Sequence, residues 1–291
     1  MPDVRVAVQL HPQHANYSQI RDAASKAEEL GVDVIYNWDH FFPLYGGEPD
    51  PNVGKHFECW TMLGAWAEAT ENVKIGALVT CNSYRNPQLL ADMARTVDVI
   101  SEGRLIFGIG SGWFEKDYDD YGYDFGTAIG RLRALDAAMP IIKDRLAKLD
   151  PPPTGDLPIL IGGGGEKVTL RIVARHADEW NVWGTPETLR GKSAILDQHC
   201  DDVGRNPGEI ARTAVALLFL SDDAAFLDRI RKSTEGQHVI VGGVAEVAET
   251  IERYREAGVG ELIVPDFTLG PRERKLETLD RFIEQIAPQF R

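Results

Sequence analysis

The sequence predicts a (β/α)8 barrel, an α/β fold of the TIM-barrel type, on three observations. Eight short segments with strand character alternate with helical segments along the 291 residues. Several of the strand segments are nearly continuous in apolar residues, which is typical of parallel strands that are covered on both faces. A barrel of eight such units commonly fills a chain of this length as one domain. We therefore expect residues 1–291 to form a single barrel domain.

Apolar runs define the predicted strands, and apolar periodicity defines the helices between them. The predicted strands, in chain order, are residues 4–10, 32–36, 73–79, 104–109, 157–161, 179–183, 212–220 and 261–264. The predicted helices cover residues 20–30, 90–100, 127–149, 167–175, 244–254 and 276–286. In the first helix the apolar residues fall at offsets 0, 3, 4, 7 and 10, and Gly31 then ends it. This alternation predicts a parallel sheet with helices outside it.

An open, doubly wound sheet is the alternative arrangement of the same elements. A glycine-rich nucleotide-binding turn after the first strand would favour it, and the sequence has none there. The motif GIGSG at 108–112 follows the fourth strand instead and does not complete the dinucleotide-binding pattern. The proline-rich stretch 150–155 is too short to separate two folded units. The barrel is therefore the better prediction.

Charge and composition argue against several classes of function. The chain has 31 lysines and arginines against 45 aspartates and glutamates, a net charge of -14, which disfavours nucleic acid or an anionic membrane as the main partner. We find no apolar run long enough to span a bilayer and no export signal at the first residues. The three cysteines, Cys59, Cys81 and Cys200, fit neither a disulfide framework nor a zinc site. We expect a cytoplasmic protein that acts on a small molecule.

Polar and aromatic residues follow the predicted strands, where a barrel carries its active site. Asp39 and His40 follow the second strand, Trp113 follows the fourth, and Trp183 ends the sixth. A mouth of this composition suits a flat, largely apolar ligand held by a few hydrogen bonds. His40 is the best acid–base candidate, because imidazole exchanges a proton near neutral pH. A histidine that merely caps the end of a strand is the competing interpretation.

Two glycine-rich turns are candidate sites for the phosphate of a cofactor. The first joins the fifth strand to a helix and consists of Gly162, Gly163, Gly164 and Gly165. Glycines let the backbone approach a ligand closely, and the N–H groups at a helix start attract an anion. Gly242 and Gly243 compete for this role, since phosphate sites of barrels more often lie after the seventh and eighth strands. A tight turn is the competing interpretation for both.

His11 and His14 raise the possibility of a metal site after the first strand. Their spacing would suit one face of a helix, but Pro12 and the end of the strand argue against a helix there. The chain has no further cluster of ligand residues at a suitable spacing, so we expect no metal.

Four stretches of the chain carry a more specific signal. They read IGALVTCNSYRNPQLLA at 75–91, SEGRLIFGIGSGWFE at 101–115, PILIGGGGEKVTLRIVA at 158–174 and ADEWN at 177–181. Together with GVGELIVP at 258–265, they resemble the luciferase-like superfamily of flavin and deazaflavin oxidoreductases. The third and fourth stretches are most similar to the branch that uses the deazaflavin coenzyme F420. The resemblance covers nearly the whole chain.

The resemblance implies where a cofactor would lie. In relatives, the tricyclic ring occupies the mouth of the barrel, in front of a bulge formed by a non-prolyl cis peptide, and Leu78 and Val79 match that place. Asp39 matches a position that contacts the ring system, and His40 matches the residue beside the reactive carbon of the ring.

Two further loops match cofactor contacts of the family. Gly112 and Trp113 match the loop beside the ring, and glycines 162–165 match a stretch along the cofactor and its phosphate tail. Members of the family are often dimers, so the resemblance also implies a homodimer.

The sequence departs from the sugar-phosphate dehydrogenases of this superfamily. They carry a catalytic glutamate directly after the glycine that matches Gly112, where this chain has Trp113, and Glu115 is displaced by two residues. Their mechanism and their sugar substrate therefore do not transfer to this chain. The large insertion that many luciferase-type monooxygenases carry before the fifth strand is missing as well, and only the short stretch 151–155 lies there.

These observations lead to one hypothesis and three alternatives. The chain is predicted to be a coenzyme F420-dependent oxidoreductase that transfers a hydride between the deazaflavin ring and a small, apolar organic substrate, with His40 handling the proton. The predicted walls of the substrate pocket are Phe41, Tyr45, Trp113, Trp183 and Phe267. The loop 43–54 is a predicted lid. The alternatives are an FMN-dependent reductase or monooxygenase of the same fold, a non-catalytic carrier of the coenzyme, and a metal-dependent hydrolase.

Overall fold

Parallel strands close into a barrel in the computed structural model, which describes residues 3–235, 237–269 and 272–291. The strands are β1 (Arg5–Gln9), β2 (Val34–Asn37), β3 (Lys74–Ala77), β4 (Thr80–Cys81), β5 (Leu105–Gly110), β6 (Ile159–Gly162), β7 (Glu179–Trp183), β8 (Ala211–Val215), β9 (Leu217–Leu220), β10 (Val239–Gly242) and β11 (Glu261–Pro265). The pairing runs in the order β3, β2, β1, β11, β8, β7, β6, β5, and a pairing of β3 with β5 closes the ring. The prediction of a (β/α)8 barrel is confirmed.

Helices lie between the strands along the chain. They are α1 (Tyr17–Glu29), α2 (Cys59–Ala69), α3 (Pro87–Ile100), α4 (Glu115–Tyr121), α5 (Ala128–Leu146), α6 (Thr169–His176), α7 (Pro186–Val203), α8 (Ala224–Ser233), α9 (Val244–Glu256) and α10 (Arg272–Gln285). Local chemistry sets where they begin. Asn86 caps α3 by accepting from the Gln88 N–H at 2.9 Å, and Pro87 occupies the first helical position, where no N–H is needed.

Two of the predicted strands are interrupted in the structure. The predicted strand 73–79 ends at Ala77, and β4 resumes beyond a cis peptide between Leu78 and Val79, the bond that the family resemblance implies. The predicted strand 212–220 divides into β8 and β9, because the chain changes partner at Ala216. The Ala216 N–H donates to Ile263 of the barrel, whereas the Leu217 N–H donates to His238, outside the barrel. The strand β10, which we did not predict, pairs with β9 in a separate two-stranded sheet.

The amino-terminal end of the barrel is closed by buried charged residues. Arg5 lies 2.9 Å from both Glu179 and Glu261, and the Tyr36 hydroxyl donates to Glu261 at 2.9 Å. Burial raises the pKa of Glu261 to about 7, against the opposing effect of Arg5. Above this group, apolar side chains of the strands fill the barrel interior, and a larger core lies between strands and helices.

In the described part of the chain, no helix combines the length and the apolar composition that crossing a membrane requires.

Candidate active site

A cavity of about 730 Å³ opens at the carboxyl ends of the strands, and we call it the main cavity. Its lining comes from the ends of β1, β5, β6 and β7, from β4 and the two residues before it, from the loops that follow β2 and β11, and from α7. The predicted site residues that line it are Asp39, His40, Tyr45, Leu78, Val79, Gly112, Trp113, Gly162, Gly163, Gly164, Trp183 and Phe267. Predicted positions from six separate segments of the sequence therefore meet around one space, as the barrel topology predicts.

Two predicted site residues lie outside the lining of the main cavity. The ring of Phe41 stacks on Tyr121, with ring centroids 3.9 Å apart, and on Tyr84 at 4.7 Å, so it packs behind the cavity wall. Gly165 faces the start of α6, where a Cβ would lie 2.7 Å from Thr169 Oγ1. Phe41 therefore lies behind the lining, where we expected a wall of the substrate pocket. Gly165 adjoins the cavity-lining Gly164, and a cofactor contact through its N–H group stays a prediction.

His40 and Asp117 form a hydrogen-bonded pair at the edge of the main cavity. The Nδ1–H of His40 donates to Asp117 Oδ2 at 2.6 Å, since a carboxylate can only accept. The buried Asp117 also accepts from the Tyr84 hydroxyl at 2.9 Å and from the Phe41 N–H at 3.1 Å. These contacts fix the carboxylate, and the carboxylate fixes the imidazole. His40 Nε2 is then the ring nitrogen available to a ligand.

Asp39 is held by a buried arginine and does not orient His40. Arg85 donates to both carboxylate oxygens of Asp39, at 2.6 and 3.0 Å, and the Cys81 N–H donates at 3.0 Å. Burial raises the pKa of Asp39, while the Arg85 guanidinium and the Cys81 N–H oppose that rise. Arg85 also contacts Glu58, at 2.5 Å. This network ties the loop after β2 to β4 and so fixes the place of His40.

Trp38 and His56 support the same loop. The Trp38 indole N–H donates to His56 Nε2 at 3.3 Å, which requires a neutral imidazole. Burial, with a further contribution from His40, lowers the pKa of His56 to about 4. His56 is therefore uncharged at neutral pH and remains an acceptor.

Packing against Val79 and Tyr118 explains three glycines of the site. A Cβ on Gly110 would lie 2.7 Å from Val79 Cγ2, and a Cβ on Gly162 would lie 3.0 Å from Val79 Cγ1. Gly112 has a φ of +80°, and its Cβ would overlap the Tyr118 hydroxyl. These glycines thus let the backbones of β5 and β6 pack against Val79, a reason that differs from the close approach to a ligand that we predicted.

The turn after β6 offers groups that attract an anion. In the portion of the chain that the structure describes, the N–H groups of Gly164 and Gly165 donate to no protein acceptor. Lys192 of α7 lines the main cavity beside this turn and donates to the Gly164 carbonyl at 2.7 Å and to Glu166 at 3.0 Å. An anionic group could replace Glu166 as the partner of Lys192 and accept hydrogen bonds from the N–H groups of Gly164 and Gly165, in the turn before α6.

At Gly242 and Gly243, the alternative phosphate site, a backbone N–H already has an acceptor within the protein. The Gly243 N–H donates to the carboxylate of Glu246 at 3.0 Å, in the first turn of α9. Gly242 ends β10, outside the barrel sheet, and neither glycine lines the main cavity. A phosphate at this turn would meet the Glu246 carboxylate, which disfavours it as the anion site.

The two histidines after β1 are engaged with the loops above the barrel. The His11 Nδ1 contacts the Asp266 carboxylate, and His14 contacts the Tyr45 carbonyl at 2.5 Å. Among the residues that the structure describes, no three His, Cys, Asp or Glu side chains converge as metal ligands would. Cys81 lines the main cavity, and burial raises the pKa of its thiol, which therefore stays protonated at neutral pH.

Comparisons with known proteins agree with this geometry. A family model described as luciferase-like monooxygenase matches residues 3–234. A phthiodiolone/phenolphthiodiolone dimycocerosates ketoreductase of Mycobacterium tuberculosis is 30% identical over an alignment of 227 residues, which covers 67% of this chain and 59% of that protein. The chain thus spans less than two thirds of the length of this relative.

Two solved structures show the same fold. An F420-dependent secondary alcohol dehydrogenase, in complex with an F420-acetone adduct, superposes with a TM-score of 0.85 at 17% identity, over 99% of each chain. The oxygenating constituent of 3,6-diketocamphane monooxygenase from Pseudomonas putida, in complex with FMN, gives a TM-score of 0.76 at 15% identity, over 100% of this chain and 99% of the other. The family model covers most of the chain. The chain therefore belongs to the luciferase-like monooxygenase family and is an enzyme of the luciferase-like oxidoreductase superfamily.

Proposed function

We propose that the protein is a coenzyme F420-dependent oxidoreductase that transfers a hydride between the deazaflavin ring and a small organic substrate. The observation that carries this proposal is the His40–Asp117 pair, which presents one free imidazole nitrogen to a large, aromatic-lined cavity. Such a nitrogen suits the exchange of one proton with a substrate oxygen.

The residues of the main cavity fit a planar ring with an anionic tail. Its volume of about 730 Å³ lies in the range of cofactor pockets. Leu78 and Val79 supply an apolar surface to the main cavity. Trp113 is 64% exposed, and its indole adds an aromatic surface to the same cavity. The free N–H groups of Gly164 and Gly165, with Lys192 beside them, suit the phosphate of the tail.

The chain's own residues would manage the proton. When bound, the deazaflavin supplies or accepts a hydride, because carbon stands where flavins have their central nitrogen. Reduction of a ketone to an alcohol needs a hydride at carbon and a proton at oxygen, and the reverse reaction releases both. His40 Nε2 gives or takes that proton, while Asp117 holds the opposite nitrogen and stabilises the imidazolium form. Leu44 and Tyr45, from the loop above the main cavity, restrict the access of water.

A ketone or a secondary alcohol is the substrate that this chemistry favours. The name of the mycobacterial relative, a ketoreductase, agrees with a carbonyl substrate. The mostly apolar lining of the main cavity favours a substrate with few polar groups.

The proposal is tested by titrating the protein with coenzyme F420 and, separately, with FMN, following the fluorescence of each cofactor. We expect saturable binding of the deazaflavin and weak binding of FMN. Lys192→Glu should weaken deazaflavin binding roughly tenfold, since a hydrogen bond to a charged group contributes about 1.5–3 kcal/mol. Lys148→Glu, on the exposed surface beyond α5, is the control and should leave binding unchanged. Tight FMN binding without deazaflavin binding would instead assign the flavin-dependent reductase or monooxygenase.

A further inference from the structure

A second cavity, of about 370 Å³, lies beside the main cavity, and we call it the side cavity. It is bounded by α1, α10 and the loops that follow β1 and β11. Its apolar surface is formed by Leu10, Ile20, Ala23, Leu269, Leu276 and Leu279. Most of these leucines and isoleucines are buried, but Leu276 is 38% exposed. The side cavity thus presents apolar surface that the described residues leave uncovered.

The two cavities share part of their walls. Tyr45 and Phe267 line both cavities, and their ring centroids lie 5.1 Å apart. Next to them, His11 lines the side cavity and Trp38 lines the main cavity, with ring centroids 4.1 Å apart. The partition is therefore a single layer of rings at Tyr45 and Phe267. A molecule bound at His40 needs to pass only this layer to reach the side cavity.

The charged groups around the side cavity are paired within the protein. Lys275 contacts Asp266 at 3.0 Å, and Asp266 also holds His11. Lys26 contacts Glu29 at 3.4 Å. Because these charges are neutralised by protein partners, the described residues that line the side cavity favour an uncharged ligand. The surface that remains for a ligand is apolar and aromatic.

We propose that the side cavity binds the uncharged alkyl part of a substrate whose carbonyl or alcohol group lies at His40 in the main cavity. This inference rests on the proposed function and narrows the substrate class to ketones or secondary alcohols with an aliphatic chain. Tyr45 and Phe267 line both cavities and separate them, so these two rings must move apart for the alkyl chain to cross, and the chain then lies against them. The alkyl chain covers Leu276 and gains the free energy of removing apolar surface from water.

The test is calorimetric titration of the protein, loaded with deazaflavin, with 2-butanone, 2-hexanone and 2-octanone. We expect affinity to rise roughly tenfold for each pair of added methylenes, since burial of one methylene contributes about 0.8 kcal/mol. Leu276→Trp fills the side cavity and should abolish this rise while leaving 2-butanone affinity unchanged. Ala23→Met narrows the cavity from α1 and serves as a second variant if the first does not fold. Leu89→Trp, at an exposed position on α3, is the matched control and should keep the rise.

The outcomes separate the inference from the proposed function. Loss of the chain-length dependence in the folded side-cavity variants, with deazaflavin binding retained, supports the inference. An unchanged dependence in those variants overturns the inference, and deazaflavin binding in the same samples leaves the proposed function standing. Failure of the unmodified protein to bind deazaflavin overturns the proposed function, and with it the inference that depends on it.

Discussion

Polar side chains are partnered differently at the two ends of the barrel. At the amino-terminal end, Arg5, Tyr36, Glu179 and Glu261 are partners of one another and close the barrel. At the carboxyl end, Asp117 binds one nitrogen of His40, and the other nitrogen stays available at the main cavity. Among the described residues, these buried polar side chains at both ends have protein partners, and at the carboxyl end His40 also presents one ring nitrogen to the main cavity. The difference separates a structural network from a site for chemistry.

The two ends of the barrel also differ in the volume of the side chains that fill them. Below the main cavity, Tyr36, Ile106 and Leu160 belong to the apolar cluster of the barrel interior. At the carboxyl end, β5 and β6 carry glycines, Gly110 and Gly162, at positions where a side chain would collide with Val79. The barrel interior is thus filled with side chains below the main cavity and open at the carboxyl end. We propose that the cofactor binds at this open end.

His40→Ala should give the largest effect, since it removes the imidazole that we propose exchanges the proton at the main cavity. We expect turnover of ketone or alcohol substrates to fall by about 10²–10⁴-fold, with deazaflavin affinity little changed. His176→Ala is the matched control, because His176 also pairs with a carboxylate, Asp136 at 3.2 Å, but on the outer helix α6. Steady-state kinetics of both variants provide the measurement. A loss below tenfold for His40→Ala would favour a non-catalytic carrier or another acid.

Arg85→Met tests whether the buried charge pair of the open end contributes more to stability than an exposed pair does. Asp39 would be left buried without its counter-charge, and we expect the free energy of unfolding to fall by about 3–5 kcal/mol. Arg145→Met removes a similar two-point contact, with Asp92, on the surface, and should cost far less, because solvent screens an exposed ion pair. Urea denaturation measures both. Equal losses would show that burial does not distinguish the two pairs.

Glu261→Gln tests the polar network of the closed end through the pH dependence of the free energy of unfolding. The pKa of Glu261 is raised from 4.5 to about 7 in the folded protein, chiefly by burial, so the folded state prefers the protonated form. Its contribution to stability is complete below about pH 4.5 and is lost as pH rises towards 7, by roughly 3 kcal/mol. The glutamine variant should lack this fall, whereas Glu249→Gln on the exposed face of α9 should retain it. Denaturation between pH 4.5 and 8 gives the comparison, and identical pH profiles for Glu261→Gln and the unmodified protein would refute it.

Much of this architecture could be predicted from the sequence, because strand periodicity and strand ends are local signals. Apolar runs located all eight barrel strands, and the position of His40 after the second strand placed it at the main cavity. The prediction failed where one apolar run serves two sheets. Residues 212–220 are continuously strand-like, and only the change of partner at Ala216, a tertiary event, divides them.

The partners of the site residues could not be predicted in the same way. Asp117 lies 77 positions from His40 in the sequence, on a short helix, and nothing in its neighbourhood indicates that it is buried. Lys192 reaches the turn after β6 from α7, and no local motif marks it. Pairings of this kind depend on the closed barrel, which brings distant segments to one rim.

The central claim is that the open end of the barrel holds a deazaflavin ring with His40 beside it. A crystal structure of the protein soaked with coenzyme F420 tests it most directly. We expect the ring in the main cavity against Leu78 and Val79, with His40 Nε2 beside the face of the ring that is open to substrate, and the phosphate at Gly164 and Gly165. A ring bound elsewhere, or a main cavity in which Trp113 and Trp183 close over the space and exclude the coenzyme, would contradict it.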